Sequence, residues 1–234
     1  MECLKFTLKG NTAFFKKNDM NSIFFTYSNI HKVAIRGLLG AIIGLEGYNY
    51  NSYKDNTKLP EFYTELEDIK IGIVPKTIFN KKFIEFTNTT GFANNHGTLI
   101  VKQQWLFDPE WDIYVLDNNK HYENIKDYIL NGKCEYIPYL GSNDHQANIL
   151  DPEIIECEYN EEDEDYIHSL FVGDLENNTP DYEDEDNAIL FKEVIPLELS
   201  SKMGYIKKEV KFTNCIVEKL KDVYTCKEKN IYFL

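Results

Sequence analysis

The chain has 234 residues, 43% of them hydrophobic and 14% aromatic, which suits one large domain with a real core and excludes an unfolded, low-hydropathy chain. Its formal charge of −14 argues at first against a polyanionic partner, but sixteen acidic residues and no Lys or Arg lie between Asp151 and Leu190, leaving 23 acids against 25 bases elsewhere, a net of +2. Residues 1–36 carry Lys5, Lys9, Lys16, Lys17, Lys32 and Arg36 against Glu2 and Asp19, so the average charge describes one solvated block and leaves the N-terminal surface open to nucleic acid.

In chain order, Leu4 to Lys9 alternates apolar and polar, the period of a half-buried strand, and Gly10-Asn11 ends it. Ile23 to Tyr27 reads as a second extended piece, and Ile35 to Leu45 as a buried helix crossed by glycines. Tyr48 to Lys58 is a polar loop with three tyrosines. Ile69 to Val74 predicts a short strand stopped by Pro75. Thr77 to Thr98 is low in hydrophobicity and carries Lys81-Lys82, whereas Leu99 to Phe107 resumes strand character. Asp108-Pro109 turns, and Trp111 to Leu116 follows as a strand. Asn119 to Asn131 is helix-like, with Tyr122, Ile125, Tyr128 and Ile129 on one face and Gly132 as a C-cap. Past Gly141 the acidic block at 151–190 reads as a charged, mobile segment. Short strands follow at Ala188 to Ile195, Tyr205 to Phe212 and Cys215 to Leu220.

The fold class expected from this order is α+β, a ferredoxin-like or RRM-type palm with one enlarged hairpin. Residues 1–150 would form the palm, with the hairpin at about 77–98, and residues 151–234 an acidic segment with a small β-rich part. The five cysteines are an odd number without any C-x-x-C pair, so reduced thiols are expected rather than disulfides or a zinc site. No secretory signal is evident. The most apolar stretch, Val33 to Leu45, has 13 residues and contains Arg36, too short to span a bilayer. The cytoplasm is the expected location, with no membrane partner.

Two motifs stand out. Ile35-Arg36-Gly37-Leu38-Leu39-Gly40-Ala41-Ile42-Ile43-Gly44-Leu45-Glu46-Gly47 places glycines at 37, 40, 44 and 47 on roughly one helical face. Each glycine costs about 1 kcal/mol of helix propensity, offset by close packing or by a ligand. The pattern is neither a phosphate-binding P-loop nor a dinucleotide fingerprint. A helix packed tightly on a sheet accounts for it, with Arg36 at the helix start reaching a phosphate. The second motif is Tyr136-Ile137-Pro138-Tyr139-Leu140-Gly141, which alone reads as a structural turn.

Taken in order, these motifs resemble the fifth CRISPR-associated protein family, of the RAMP fold. Leu106-Phe107-Asp108-Pro109-Glu110-Trp111-Asp112-Ile113-Tyr114-Val115 matches the family's strand pair, and Pro138 to Gly141, followed by Ala147-Asn148-Ile149, its turn. The resemblance covers residues 1 to about 150 and is closest to the type I-B branch. It departs at Ser28 to Lys32, where many relatives carry prolines.

The resemblance implies a non-catalytic subunit of a type I interference (Cascade) complex. It would hold the 5′ handle of the CRISPR RNA, cap the guide filament, and touch the backbone and large subunits, meeting target DNA only through the complex. No cofactor or metal is implied. Single-stranded RNA is held by cations on phosphates and planar groups on bases, so the candidate RNA-binding residues are Lys16, Lys17, Tyr27, His31, Lys32, Arg36, Lys81, Lys82, His96 and Lys102. Phe14, Phe15, Phe24 and Phe25 lie among the N-terminal cations, and one or two aromatics are expected to stack on bases. One branch of the family cuts precursor RNA without metal, for which Tyr27, His96 and Lys102 would be the candidates. A third reading is an acidic adaptor whose 151–190 block binds a basic protein.

Overall fold

The computed structural model describes all residues except 19–22, 49–57, 78–79, 90–97, 163, 174–187 and 219. Four strands carry the palm: β1 (Glu2–Lys9), β3 (Ile71–Pro75), β6 (Glu110–Leu116) and β7 (Asn148–Tyr159). They lie in the order β7-β1-β6-β3, each antiparallel to its neighbour. With α1 (Lys32–Ile43) between the first two in sequence and α3 (Tyr122–Leu130) between the last two, this is the ferredoxin-like split βαβ order. The α+β expectation holds.

Alternation along β1 decides which face is which. Leu4, Phe6 and Leu8 point to the helices and share a core with Ile35, Leu39 and Ile42 of α1, Ile125 of α3 and Ile113 of β6. Cys3 points the other way, into a second cluster with Tyr114, Leu116, Ile155, Cys157, Cys226, Ile231 and Phe233. That cluster exists because the C-terminal hairpin, β12 (Val223–Cys226) and β13 (Lys229–Tyr232), adds to the free edge of β7. Leu234 then exchanges backbone hydrogen bonds with Ile71 on β3, at the opposite edge. The sheet therefore curls until its edges meet. At Gly72 a Cβ would stand 2.3 Å from the Ile231 side chain, so the curl closes only over a glycine.

Three expectations change. Residues 151–159 are not part of a mobile segment: they belong to β7, a twelve-residue strand inside the sheet. Their exposed carboxylates hid the inward Ile155 and Cys157. The expected strands at 188–220 form small separate sheets, but two further strands that were not expected, β12 and β13, join the palm sheet. The thiols are not all reduced: Cys157 and Cys226 sit opposite each other in the β7–β12 register and form a disulfide. Sixty-nine residues separate them, and only strand pairing reveals the match.

The enlarged hairpin is β4 (Lys81–Thr89) with β5 (Thr98–Phe107), inserted between β3 and β6. Leu99 to Phe107 thus belongs to this hairpin and not to the palm. The hairpin's base is held by β2 (Thr12–Ala13), which pairs with β5. A second hairpin, β9 (Leu190–Leu199) with β10 (Tyr205–Thr213), carries Ile195, Leu197 and Val210 into the helix-side core. A short ladder joins β8 (Glu164–Tyr166) to β11 (Ile216–Glu218).

The glycine-rich motif is α1, and its glycines do different things. At Gly40 a Cβ would lie 2.5 Å from Cβ of Phe62 on α2 (Glu61–Glu65), so α2 can approach only there. Gly44 is the left-handed C-cap, φ 85°, its N–H returning to the last turn. Gly47 meets nothing and lies beyond the helix.

Candidate nucleic-acid interface

The loop after β2 returns to lie on the hairpin. Lys17 N donates to Phe25 O, Phe24 N to Lys102 O at 3.0 Å, and Gln104 N to Phe24 O at 2.8 Å. Phe24 bridges Gln103 in parallel. Backbone pairing therefore joins the basic N-terminal segment and the hairpin base into one sheet.

On both faces of that sheet cations sit over rings. Lys16 Nζ lies 4.0 Å from the centroid of Phe24, Lys82 Nζ 4.9 Å from Phe107, and Lys102 Nζ 5.3 Å from Phe83. Phe25 meets Phe83 edge to face at 5.8 Å. Phe83 and Phe86 remain 46% and 39% exposed. An open ring beside an ammonium group offers a stacking platform with a phosphate partner. Direct pairing in the β4–β5 register puts Lys81, Phe83, Glu85 and Lys102 on one face of the hairpin and Lys82, Ile84 and Phe86 on the other.

The remaining candidates divide. Lys17 is paired with Glu193 at 2.6 Å, and Glu193 also accepts from Ser28 N. Lys81 donates to Ser28 Oγ at 2.7 Å and to Thr26 O at 3.4 Å, and burial pulls its pKa down. These two lysines fasten the returning loop to the body. Lys102 is shared with Glu85 at 2.8 Å.

Tyr27, His31 and Arg36 are interior. Tyr27 is 1% exposed in the core. His31 caps α1, its Nδ1 accepting from Ala34 N at 3.1 Å, and burial pushes its pKa down to about 3. Arg36 is 2% exposed, with its guanidinium over Tyr63 and one nitrogen donating to Glu67 O. The expected phosphate contact by Arg36 is therefore corrected: one turn into α1, its side chain points under α2 rather than out of the helix start. Lys32 donates to the Leu234 carbonyl at 2.6 Å, and burial lowers its pKa to about 8. His96 lies outside the described residues.

Sequence reading missed Phe83 and Phe86. Their signal was the run Lys81 to Phe86 inside the expected hairpin, whose strand register local sequence does not give. The turn motif is ordered by contact: Phe14 N donates to Leu140 O at 3.0 Å, and a Cβ on Gly141 (φ 91°) would fall 1.9 Å from Phe14 O. Among the described residues no helix is long and apolar enough to cross a membrane.

The fold is thus a ferredoxin-like palm with an inserted hairpin that is cationic and aromatic at its base. The family model described as CRISPR-associated protein (Cas_Cas5), Cas_Cas5d, matches residues 3–195. The chain belongs to this CRISPR-associated family. Among solved structures, one described as a CRISPR RNA-guided surveillance complex is 16% identical, with 92% of this chain and 90% of that chain covered and a TM-score of 0.48. A CRISPR protein from Archaeoglobus fulgidus is 12% identical, with 99% and 98% covered and a TM-score of 0.49. The comparison with curated proteins gave no match.

Proposed function

We propose that this chain is a non-catalytic RNA-holding subunit of a type I CRISPR interference complex. It grips the 5′ handle of the CRISPR RNA and caps the guide filament in contact with backbone and large subunits. The observation that carries this reading is the hairpin base, where exposed Lys16 and Lys82 lie over Phe24 and Phe107, with exposed Phe86 on the face of Lys82 and exposed Phe83 on the opposite face. Family membership supplies the RNA and the assembly as the context.

Metal-free cleavage needs a base and a cation at one phosphate. Burial of Tyr27 and the pairing of Lys102 with Glu85 both favour holding over cutting. The test is RNA binding by the assembled complex over a salt series. Affinity should fall linearly on a log–log plot, and Lys16→Ala or Lys82→Ala should each lower the slope by about one. Salt-independent binding would overturn the reading. Precursor repeat RNA should stay intact with or without divalent metal, whereas a 2′,3′-cyclic phosphate product lost in Lys102→Ala would promote the nuclease.

A further inference from the structure

On the Lys82 face of the hairpin, the cross-strand pairs are Lys82 with Trp105, Ile84 with Gln103 and Phe86 with Val101. Gln103 therefore stands between the cation and the exposed ring of that face, diagonal to both and within reach of long side chains. Its amide has a fixed sense. Trp105 Nε1 donates to Gln103 Oε1 at 2.8 Å. An indole N–H only donates, so it holds the amide oxygen towards itself and turns the amide nitrogen away. Trp105 is itself held edge to face against the His145 ring at 4.6 Å, and His145 Nδ1 shares a hydrogen bond with Thr12 Oγ1 at 2.7 Å. The row Thr12, His145, Trp105 and Gln103 thus ends in an amide nitrogen that has no partner among the described residues.

A nucleotide with its base on Phe86 and its phosphate at Lys82 lays its base edge over the pair between them, Ile84 and Gln103. Ile84 offers that edge no hydrogen bond. Gln103 offers two N–H donors, because its oxygen is turned to the indole. Uracil presents carbonyl oxygens to such a group, and guanine presents O6 and N7. The exocyclic group of adenine is an amino group, so a donor would meet a donor. Glutamine reads adenine well only when its oxygen and nitrogen face the base together. Contacts from Lys16 and Lys82 to phosphate carry no sequence information, whereas an amide locked in one orientation does.

We infer that Gln103 is a base-reading residue of the hairpin, its amide locked donor-outward by Trp105 so that it favours RNA bases carrying a carbonyl oxygen over adenine. The inference rests on the RNA-holding reading of the hairpin base. The probes are fluorescent oligouridylate and oligoadenylate of equal length, titrated against the full-length protein. The wild type should prefer oligouridylate by about fivefold, the scale of one hydrogen bond. Gln103→Ala should remove most of that preference. Gln103→Glu keeps an acceptor for the indole and turns a second acceptor outward, so it should reverse the order. Trp105→Phe keeps a ring against His145 but frees the amide to turn either way, and should shrink the preference. Gln103→Ala and Trp105→Phe should both keep the wild-type salt slope, which separates base reading from phosphate contact. If the wild type binds both oligonucleotides and Gln103→Ala leaves their affinity ratio unmoved, the proposal is overturned and the RNA reading stands. If the wild type binds neither oligonucleotide at low salt, the RNA reading fails and this inference falls with it.

Discussion

Arg36 shows how a single residue changes meaning between sequence and fold. As the only arginine in the chain, beside a glycine-rich helix, it reads as a phosphate ligand. In the fold its Nε and Nη1 are buried without hydrogen-bond partners, which is a cost and not an invitation to a solvent-borne ligand. Arg36→Ala should therefore destabilise the protein by about 2 kcal/mol through lost packing on Tyr63, and leave the salt slope of RNA binding unchanged. Arg36→Met should cost less than Ala, because it keeps the stem and removes the unpaired donors. Thermal melts of the two variants check the order; a stable Arg36→Ala with weakened RNA binding would restore the phosphate role.

His31 makes a second prediction at this scale. Its folded pKa, about 3, lies below its ordinary value of 6.5, so the unfolded chain binds the extra proton. Stability is then present above pH 6.5 and drains away as pH falls towards 3. Between about pH 7 and pH 5 the His31 contribution should fall by about 2 kcal/mol. His31→Asn keeps a cap acceptor and removes the titration, so denaturant melts at both pH values should show a flatter profile in that variant.

Among the elements, α1 is where close packing and propensity can be separated. Gly40 has Phe62 directly against it, whereas at Gly37 a Cβ would meet the Phe62 ring at 3.7 Å, an ordinary contact. Gly40→Leu should destabilise by about 1–3 kcal/mol by forcing α2 away. Gly37→Ala should be neutral or stabilising by up to about 1 kcal/mol, since it removes a glycine from a helix interior. Equal melting temperatures for Gly40→Leu and wild type would mean that α2 does not pack there. The sequence motif announced a tight helix; which glycine faces α2 is set by the rotation of α1 on the sheet.

For the whole molecule, the C-terminal hairpin decides how the palm closes. The Cys157–Cys226 bond ties β12 to β7, and β13 and Leu234 reach back to β3. Closing a loop of this length stabilises by up to about 4 kcal/mol in the chain-entropy account. Cys226→Ser, or a thiol reductant, should lower the melting temperature, and Cys134→Ser, at an exposed free cysteine, should not. Thiol counting on the unfolded protein should find three free thiols; five would remove the bond from the account. Cys3 shares that interior, and burial pushes its pKa up to about 12, so it should resist alkylation until the protein unfolds.

What the sequence determined by itself was set by local chemistry. The period of β1, the apolar faces of α1 and α3, the stop of α3 near Gly132, and the strand–turn–strand around Asp108-Pro109 depend on residues a few positions apart. Their order was enough for the α+β class and the family resemblance. It also brought Lys16, Lys82 and Lys102 into view as cations, because charge clusters are legible without coordinates. Tertiary structure decided what depended on distant pairing. The returning segment at Phe24 marked the hairpin base as the cationic region and left Phe83 and Phe86 as exposed rings on its two faces. The packing of α2 turned Arg36 inward, and the β7–β12 register joined two cysteines 69 residues apart. Long-range register leaves no local period, so an acidic run that reads as solvated loop can be an inner strand once its alternate side chains find a core.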